Sequence, residues 1–390
     1  MHLDSLYKKT ITPIITLTSL ILLGCGQESN KSTEQCRVHI LDTIKTSENT
    51  ANKPQSKLWI NDNIWWAVMP NESGTVLWRL DSLQWKDSGL LSHHQNTHAD
   101  VKAIADTTHA LLFRGENSEL ASLEYDRSER TYRPWHKRRH NSVITLDANT
   151  ETATLDIDSQ KRMWVAYDAL DDIEVIWSDP PYSKWSLPIK IATGISTDDI
   201  CAITSLPENH IAVMWSNQRS KRFGFKTHND FENPTIWSDD EIPASQSALD
   251  TIGKGMADDH INLCVSPQGD LFAAVKTSYD TAGYPKIALL VRRANSNWDS
   301  LYHVSEKGTR GIVCLNEQTK KLHVIYTGSE GYNKILYGET ALDHISFSPD
   351  SILIDQKVNN VTSTKQNYST DLVVLASNDT SAVGVKIDYR

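Results

Sequence analysis

Aromatic residues recur along this chain at Trp85, Trp135, Trp185, Trp237, Trp298 and Phe347, at intervals of 50, 50, 52, 61 and 49 residues. A period of this length constrains the fold more than any other feature, because each unit must bury its apolar face against the next. Length alone, 390 residues, would allow two or three domains. The repeat argues instead for one array.

Two further series share the period. Apolar alternating segments occur as NIWWAVM (63–69), HALLF (109–113), RMWVAY (162–167), HIAVMW (210–215), DLFAAV (270–275), KLHVIY (321–326) and DLVVLA (371–376). They are rich in Val, Ile, Trp and Tyr, as strands are. Each is preceded, across a turn, by a segment such as KLWI (57–60), TATLDI (152–157) or INLCV (261–265). The turns carry Asn61-Asp62-Asn63, Asp158-Ser159-Gln160 and Pro267-Gln268-Gly269-Asp270. A third strand such as IEVIWS (173–178) precedes the aromatic marker, and a fourth such as SLPIKIA (186–192) follows it. Four short antiparallel strands per unit make a propeller blade. The expected fold is therefore all-β, a seven-bladed β-propeller over 36–390. Its last unit ends in AVGVKIDY (382–389) and lacks an outer strand, and CRVHILDTI (36–44) is the strand-like segment left to complete it and close the ring. A β-sandwich or β-helix is the alternative.

The first 24 residues predict location. Lys8 and Lys9 precede an apolar run over 10–23, which is too short for a comfortable membrane span and ends at Cys25. This is a signal peptide, and Leu22-Leu23-Gly24-Cys25 resembles the bacterial lipobox. The resemblance implies lipidation of Cys25 and stable anchoring in the bacterial cell envelope, at the outer membrane or the periplasmic face. The polar stretch 25–35 predicts a flexible tether.

The formal net charge of −10 makes nucleic acid a poor partner. One basic cluster, HKRRH (136–140), runs against that trend; it fits an edge strand blunted by charge, or contact with an acidic glycan or lipid headgroup. Cys36, Cys201, Cys264 and Cys314 show no metal-type spacing, and the last three fall in apolar strands where free Cys acts as a small core residue. No cofactor is expected, and the chain is expected to be a monomer.

Propeller topology predicts where a site lies. The loops entering the innermost strands and those leaving the second strands open on one face, around the channel. His98 and Asp100, Asp198 and Asp199, Asp258-Asp259-His260 and Thr309-Arg310 stand in the first set; Asp168, Asn217-Gln218-Arg219, Lys276 with Tyr279, and Tyr326 stand in the second. Carboxylates, imidazoles and cations converging on a pocket suit a sugar or another polar ligand. The stretch from Trp237 to Ile261 is 24 residues, against 15 from Trp185 to Ile200, so the loop 245–260 is expected to overhang that mouth. The candidate catalytic residues are Asp259, His260, Tyr279 and Arg310; the candidate substrate-binding residues are His98, Asp100, Asp199 and Lys276. Asp at the start of an inner strand also caps turns, a competing role for Asp198, Asp199 and Asp258. A metal held by His98, Asp100, Asp259 and His260 is a further alternative.

Segments such as VIWSDPPYSKWSLP (175–188) resemble degenerate Asp-box blades of the sialidase-like, BNR-repeat propellers. MADDHINLCVSPQGDLFAAVKTSYDTAGYPKIALLVRR (256–293), GTRGIVCLNE (308–317) and NNVTSTKQN (359–367) resemble a family of secreted bacterial propellers, a likeness that implies fold and export. Sialidases use an early Arg in a Phe-Arg-Ile-Pro motif, further arginines and a Tyr–Glu pair, and no such motif occurs here. Some polysaccharide lyases place His, Tyr and Arg in a propeller channel, and His260, Tyr279 and Arg310 resemble that set in residue type.

Two function classes follow. One is a glycan-active enzyme, either a hydrolase pairing Asp259 with Asp199 or Asp100, or a lyase. In the lyase, Arg310 or Lys276 offsets a uronate carboxylate while His260 or Tyr279 removes a proton. The other is a non-catalytic module binding a glycan or protein.

Overall fold

The computed structural model describes residues 36–50, 53–331 and 333–389. The expected signal peptide, the expected lipidation site Cys25 and the expected tether lie outside the described residues. The described chain is all-β apart from one turn of 3-10 helix, Ser245–Ser247. No helix among the described residues is long and apolar enough to cross a membrane.

The strands form six hydrogen-bonded antiparallel sheets. The first runs Leu58–Asn61, Ile64–Asn71, Gly74–Asp81, Gln84–Ser92, each strand pairing with the next. The third (Ala153–Ile157 to Ile189–Thr193) and the fifth (Ile261–Val265 to Tyr302–Ser305) repeat this order with four strands. The tight turn predicted at Asn61-Asp62-Asn63 is present: Asp62 and Asn63 have φ of 51° and 58°, the left-handed pair a two-residue hairpin needs, and Glu208 and Asn209, not singled out from the sequence, have 60° and 61°.

The eight-stranded sheet holds both chain ends of the described region. Its strand Ser351–Thr362 pairs through its first part with Asn333–Ala341 and through its last residues with Asp371–Ser377. Cys36–Ile40 pairs with Ser381–Tyr389 in register Cys36↔Tyr389 to Ile40↔Val385, and Ile44 pairs with Ala382. Residues 36–44 thus take the position expected of them beside 382–389.

The recurring aromatics act between sheets. Trp135 stacks on Tyr182 at 5.7 Å, Trp237 meets Trp164 edge-on at 5.7 Å, and Trp298 meets Phe225 at 5.4 Å. Each pair joins neighbouring sheets, so the period is that of an inter-sheet contact. The buried apolar residues cluster likewise between successive sheets. One cluster combines Trp65 and Met69 of the first sheet with Leu372, Val374 and Ile387 of the last.

Two strand expectations are corrected. The fourth sheet has three strands, Cys201–Leu206, His210–Asn217 and Arg222–Asn229, with a single bridge Phe225↔Glu241 where an outer strand was expected. Pro234 and Pro243 lie in that stretch and lack the N–H donors that a ladder requires. In the second sheet the outer strand is split into Thr131–Pro134 and Ser142–Thr145, both pairing with Asn117–Asp126. The basic cluster 136–140 fills the split. Arg138 donates to the Leu120 and Pro181 carbonyls, and His136 pairs with Glu124. Cys201, Cys264 and Cys314 are free and buried.

Candidate active site

Innermost strands of successive sheets contact one another in chain order. The entering and leaving loops are bonded together. Asp168, leaving a second strand, accepts from the Glu151 and Thr152 amides that enter the neighbouring inner strand. Asp199 accepts from the Gln218 amide, and Asp258 accepts from the Ser278 hydroxyl at 2.8 Å. The two loop sets therefore share one face.

The mouth between the inner strands on that face is not an open hole. The chain passing from the closing strands to Leu58 crosses it as residues 53–57. Gln55 Nε2 donates to the Ala153 carbonyl, the Pro54 carbonyl accepts from Asn262 Nδ2, and Ser56 N donates to Asp100. Three different inner strands thus hold one short segment. Beyond it lies a cavity of about 300 Å³, bounded by Pro54 and Ser56 at one end and reaching Pro207 and Pro267 at the other.

The charged groups at this mouth form two sets. In the first, the Lys53 ammonium contacts Asp259, lies 2.7 Å from Glu151 and 3.9 Å from Asp198. In the second, Lys276 Nζ lies 2.7 Å from Glu330 and 3.4 Å from Asp258, and Arg310 Nη1 lies 3.7 Å from Glu330. His260 stands between them: Nδ1 is 2.6 Å from Asp259 Oδ1, and Nε2 is 3.3 Å from the Thr309 hydroxyl. A carboxylate on Nδ1 holds the proton there and leaves Nε2 as the basic nitrogen. His260 is buried, at 3% exposure.

The environment fixes these charges. Burial works to raise the Asp259 pKa, but the His260 hydrogen bond and charge together with Lys53 outweigh it, holding the carboxyl well below the usual range. Burial works against the Lys53 and Lys276 ammonium groups, yet Asp259 and Glu151 for the first, and Asp258 and Glu330 for the second, keep both pKa values above normal. Asp198 is pushed up by burial and by Asp259. Two groups of ligand atoms, Asp258-Asp259-His260 and Glu151-Asp198-Asp259, converge closely enough to hold a metal ion. The Lys53 ammonium stands within the second.

The expected site residues separate under this geometry. Asp259, His260, Lys276 and Arg310 come together. Asp100 does not join them: it is fully buried, accepts from the Ser56 and Leu155 amides at 2.9 and 2.8 Å, and pairs with Lys365. Asp199 is equally buried and accepts from the Ser196 and Gln218 amides. Both carboxylates are spent on the backbone, so neither is the second acid of a hydrolase pair. Tyr279 is buried and its hydroxyl accepts from the Leu249 amide, which pins the long loop. His98 is turned elsewhere, with Nε2 3.7 Å from Glu48; burial, and then Lys57, push its pKa down to about 3. The proposed metal set of His98, Asp100, Asp259 and His260 is therefore not assembled.

The loop 245–260 begins at the periphery, where Gln246 bonds the Trp298 carbonyl and Ser247 accepts from the Leu301 amide. It reaches the mouth only near Lys254, whose amide donates to the Ser278 carbonyl.

Lys53, Glu151 and Glu330 were not anticipated. Glu151 enters an inner strand and Glu330 leaves a second strand, so the topological rule that found the others also reaches them. Lys53 precedes the first inner strand by five residues, and only the tertiary path of the closing segment brings it to Asp259.

No family model matches the chain, and no curated protein matches it. Solved structures resemble it in fold. A protein of unknown function from Dyadobacter fermentans superposes with a TM-score of 0.52 at 10% identity, over 90% of this chain and 99% of that one. An ulvan lyase described as a new family of polysaccharide lyase gives 0.55 at 10% identity, over 88% and 95%, and has also been solved bound to -[GlcA(1-4)Rha3S]-. A further polysaccharide lyase gives 0.52 at 10% identity, over 87% and 92%.

Proposed function

We propose that this protein is an envelope-anchored, glycan-active propeller that cleaves a polysaccharide or oligosaccharide by proton abstraction and elimination at the channel mouth. The observation that carries this reading is the Asp259–His260 pair at 2.6 Å, flanked on one side by the Lys276 and Arg310 cations. Asp259 orients His260 and stabilises the imidazolium formed when Nε2 takes the proton next to a sugar carboxylate. Lys276 and Arg310 offset the negative charge that grows on that carboxylate. Lyase chemistry in two neighbours of the same fold supports the reading as analogy. Elimination breaks the glycosidic C4–O bond, the departing oxygen takes a proton from the imidazolium or from water, and a C4–C5 double bond is left, so incubation with a panel of acidic polysaccharides should give a product absorbing in the ultraviolet. Saturated fragments, or no fragments from any member of the panel, overturn the reading.

The burial of His260 and the 3.3 Å approach of its Nε2 to Thr309 favour a second reading, a surface module that binds a glycan without cleaving it. Saturable binding with no product distinguishes it.

The architecture belongs to the same proposal. Splitting the eight-stranded sheet at Ser351–Thr362 gives seven blades, and the pairing of Cys36–Ile40 with Ser381–Tyr389 supports closure of the ring. Cys25 remains the proposed lipid anchor. Cys25→Ser should move the protein from the membrane fraction to a soluble or unprocessed form; unchanged membrane association and mass overturn the anchor.

A further inference from the structure

Arg310 and Lys276 come from different strands, yet they meet at one carboxylate, that of Glu330. Arg310 has a φ of 53° and stands where the register of Thr309–Asn316 shifts between Thr309 and Ile312. Asn360 has the same conformation at the equivalent shift in Ser351–Thr362, so the bulge belongs to the fold and the guanidinium to this position. The two cations are largely withdrawn from solvent, with side chains 14% and 26% exposed, whereas the Glu330 side chain is 66% exposed. Glu330 lies in the turn after Lys321–Thr327, between Gly328 and Gly331, and Gly331 has a φ of 77° with open space around its Cα substituent. A carboxylate on a solvent-side turn with glycines about it can swing away at little cost, whereas Lys276 and Arg310 are anchored in strands.

We propose that Glu330 is a built-in occupant of an oxyanion subsite formed by Lys276 and Arg310, and that the ligand of this mouth carries a carboxylate or sulfate ester which displaces it. The inference rests on the reading that a glycan binds here, and it names the group by which the glycan is held. His260 lies beside the same subsite, because Asp258 contacts both Lys276 and the imidazole at 3.4 Å. An oxyanion seated there brings its sugar ring next to the carboxylate–imidazole pair. Glu330 meanwhile offsets the charge of the two converging cations when the mouth is empty, with Asp258 as the second partner of Lys276.

The experiment is calorimetric binding of three probes to the full mature chain: oligogalacturonate for carboxylate, dextran sulfate for sulfate ester, and neutral dextran. Glu330→Gln should tighten binding of an oxyanion probe by about three- to fivefold, the scale of one solvent-facing ion pair. Arg310→Gln should weaken it, added salt should weaken it, and dextran should respond to neither change. The probe that responds tells carboxylate from sulfate. Unchanged or weaker binding of both charged probes by Glu330→Gln, with melting as in the unsubstituted protein, overturns the proposal. Tighter binding without any product overturns the catalytic reading and leaves the subsite standing. Product formed from a glycan whose affinity ignores Glu330→Gln does the reverse.

Discussion

His260→Ala should lower turnover of the cleaved glycan by about 10²–10⁴-fold, the range set by loss of a positioned general base. Its cost in stability should be modest, because the groups left behind keep other partners: Asp259 retains Lys53, and Thr309 opens onto the vacated space. Asp199→Asn should behave in the opposite way. Its carboxylate ties the Ser196 and Gln218 amides, fully buried, so the substitution should destabilise the fold by about 1–3 kcal/mol and leave turnover near normal. Melting and product formation, measured on both variants, separate the roles. Loss of stability without loss of turnover in His260→Ala would make the imidazole a packing group. The pH behaviour follows from Asp259. A carboxyl depressed in the folded state contributes stability that is complete above its unfolded pKa of about 4. That contribution declines progressively as the pH falls below that value and is gone once the pH has fallen through the lower folded value. The site should therefore stay assembled through weakly acidic solution, and an acid limb of activity should not coincide with loss of structure.

Removing residues 382–390 should lower stability by several kcal/mol and the melting temperature by about ten degrees or more. The deletion takes away Val385 and Ile387, both buried, and strips the pairing from Asp371–Ser377 on one side and Cys36–Ile40 on the other. It also takes Tyr389 from its ring contacts with His323 and Tyr368 at 5.1 and 5.5 Å. A single substitution gives the same test with the chain intact. A Cβ at Gly384 would stand 2.4 Å from the Leu375 side chain and 2.7 Å from the Val374 carbonyl, so Gly384→Ala should cost about 1–3 kcal/mol. Melting unchanged in both variants would mean that the terminal strands do not hold the fold together.

The role of Leu375 and Val374 in that contact could not have been anticipated, but the strands themselves could. Period-2 alternation is local, and it marked HIAVMW and DLFAAV as second strands without reference to any neighbour. The spacing of Trp135, Trp237 and Trp298 was legible for the same reason: every unit repeats one inter-sheet contact. Pairing of 36–44 with 382–389 followed from counting strands. The split outer strand around Arg138 and the lost outer strand near Pro243 were not legible, because edge pairing carries a weak sequence signal and depends on what the neighbouring sheet offers.

At the site the division is sharper. The sequence by itself determined which loops share a face, since that depends only on strand direction, and so brought Asp259, His260, Lys276 and Arg310 into one set. Whether a polar side chain in such a loop faces ligand or backbone was decided only by the tertiary structure. Asp199 and Asp259 occupy comparable places before inner strands, yet one finds two amides within reach and the other finds an imidazole and an ammonium. That difference depends on distances of about 3 Å between segments far apart in the chain. Lys53 is the extreme case, lying 206 residues from Asp259. Its arrival there is a consequence of the route by which residues 53–57 pass between the inner strands, which no local pattern encodes.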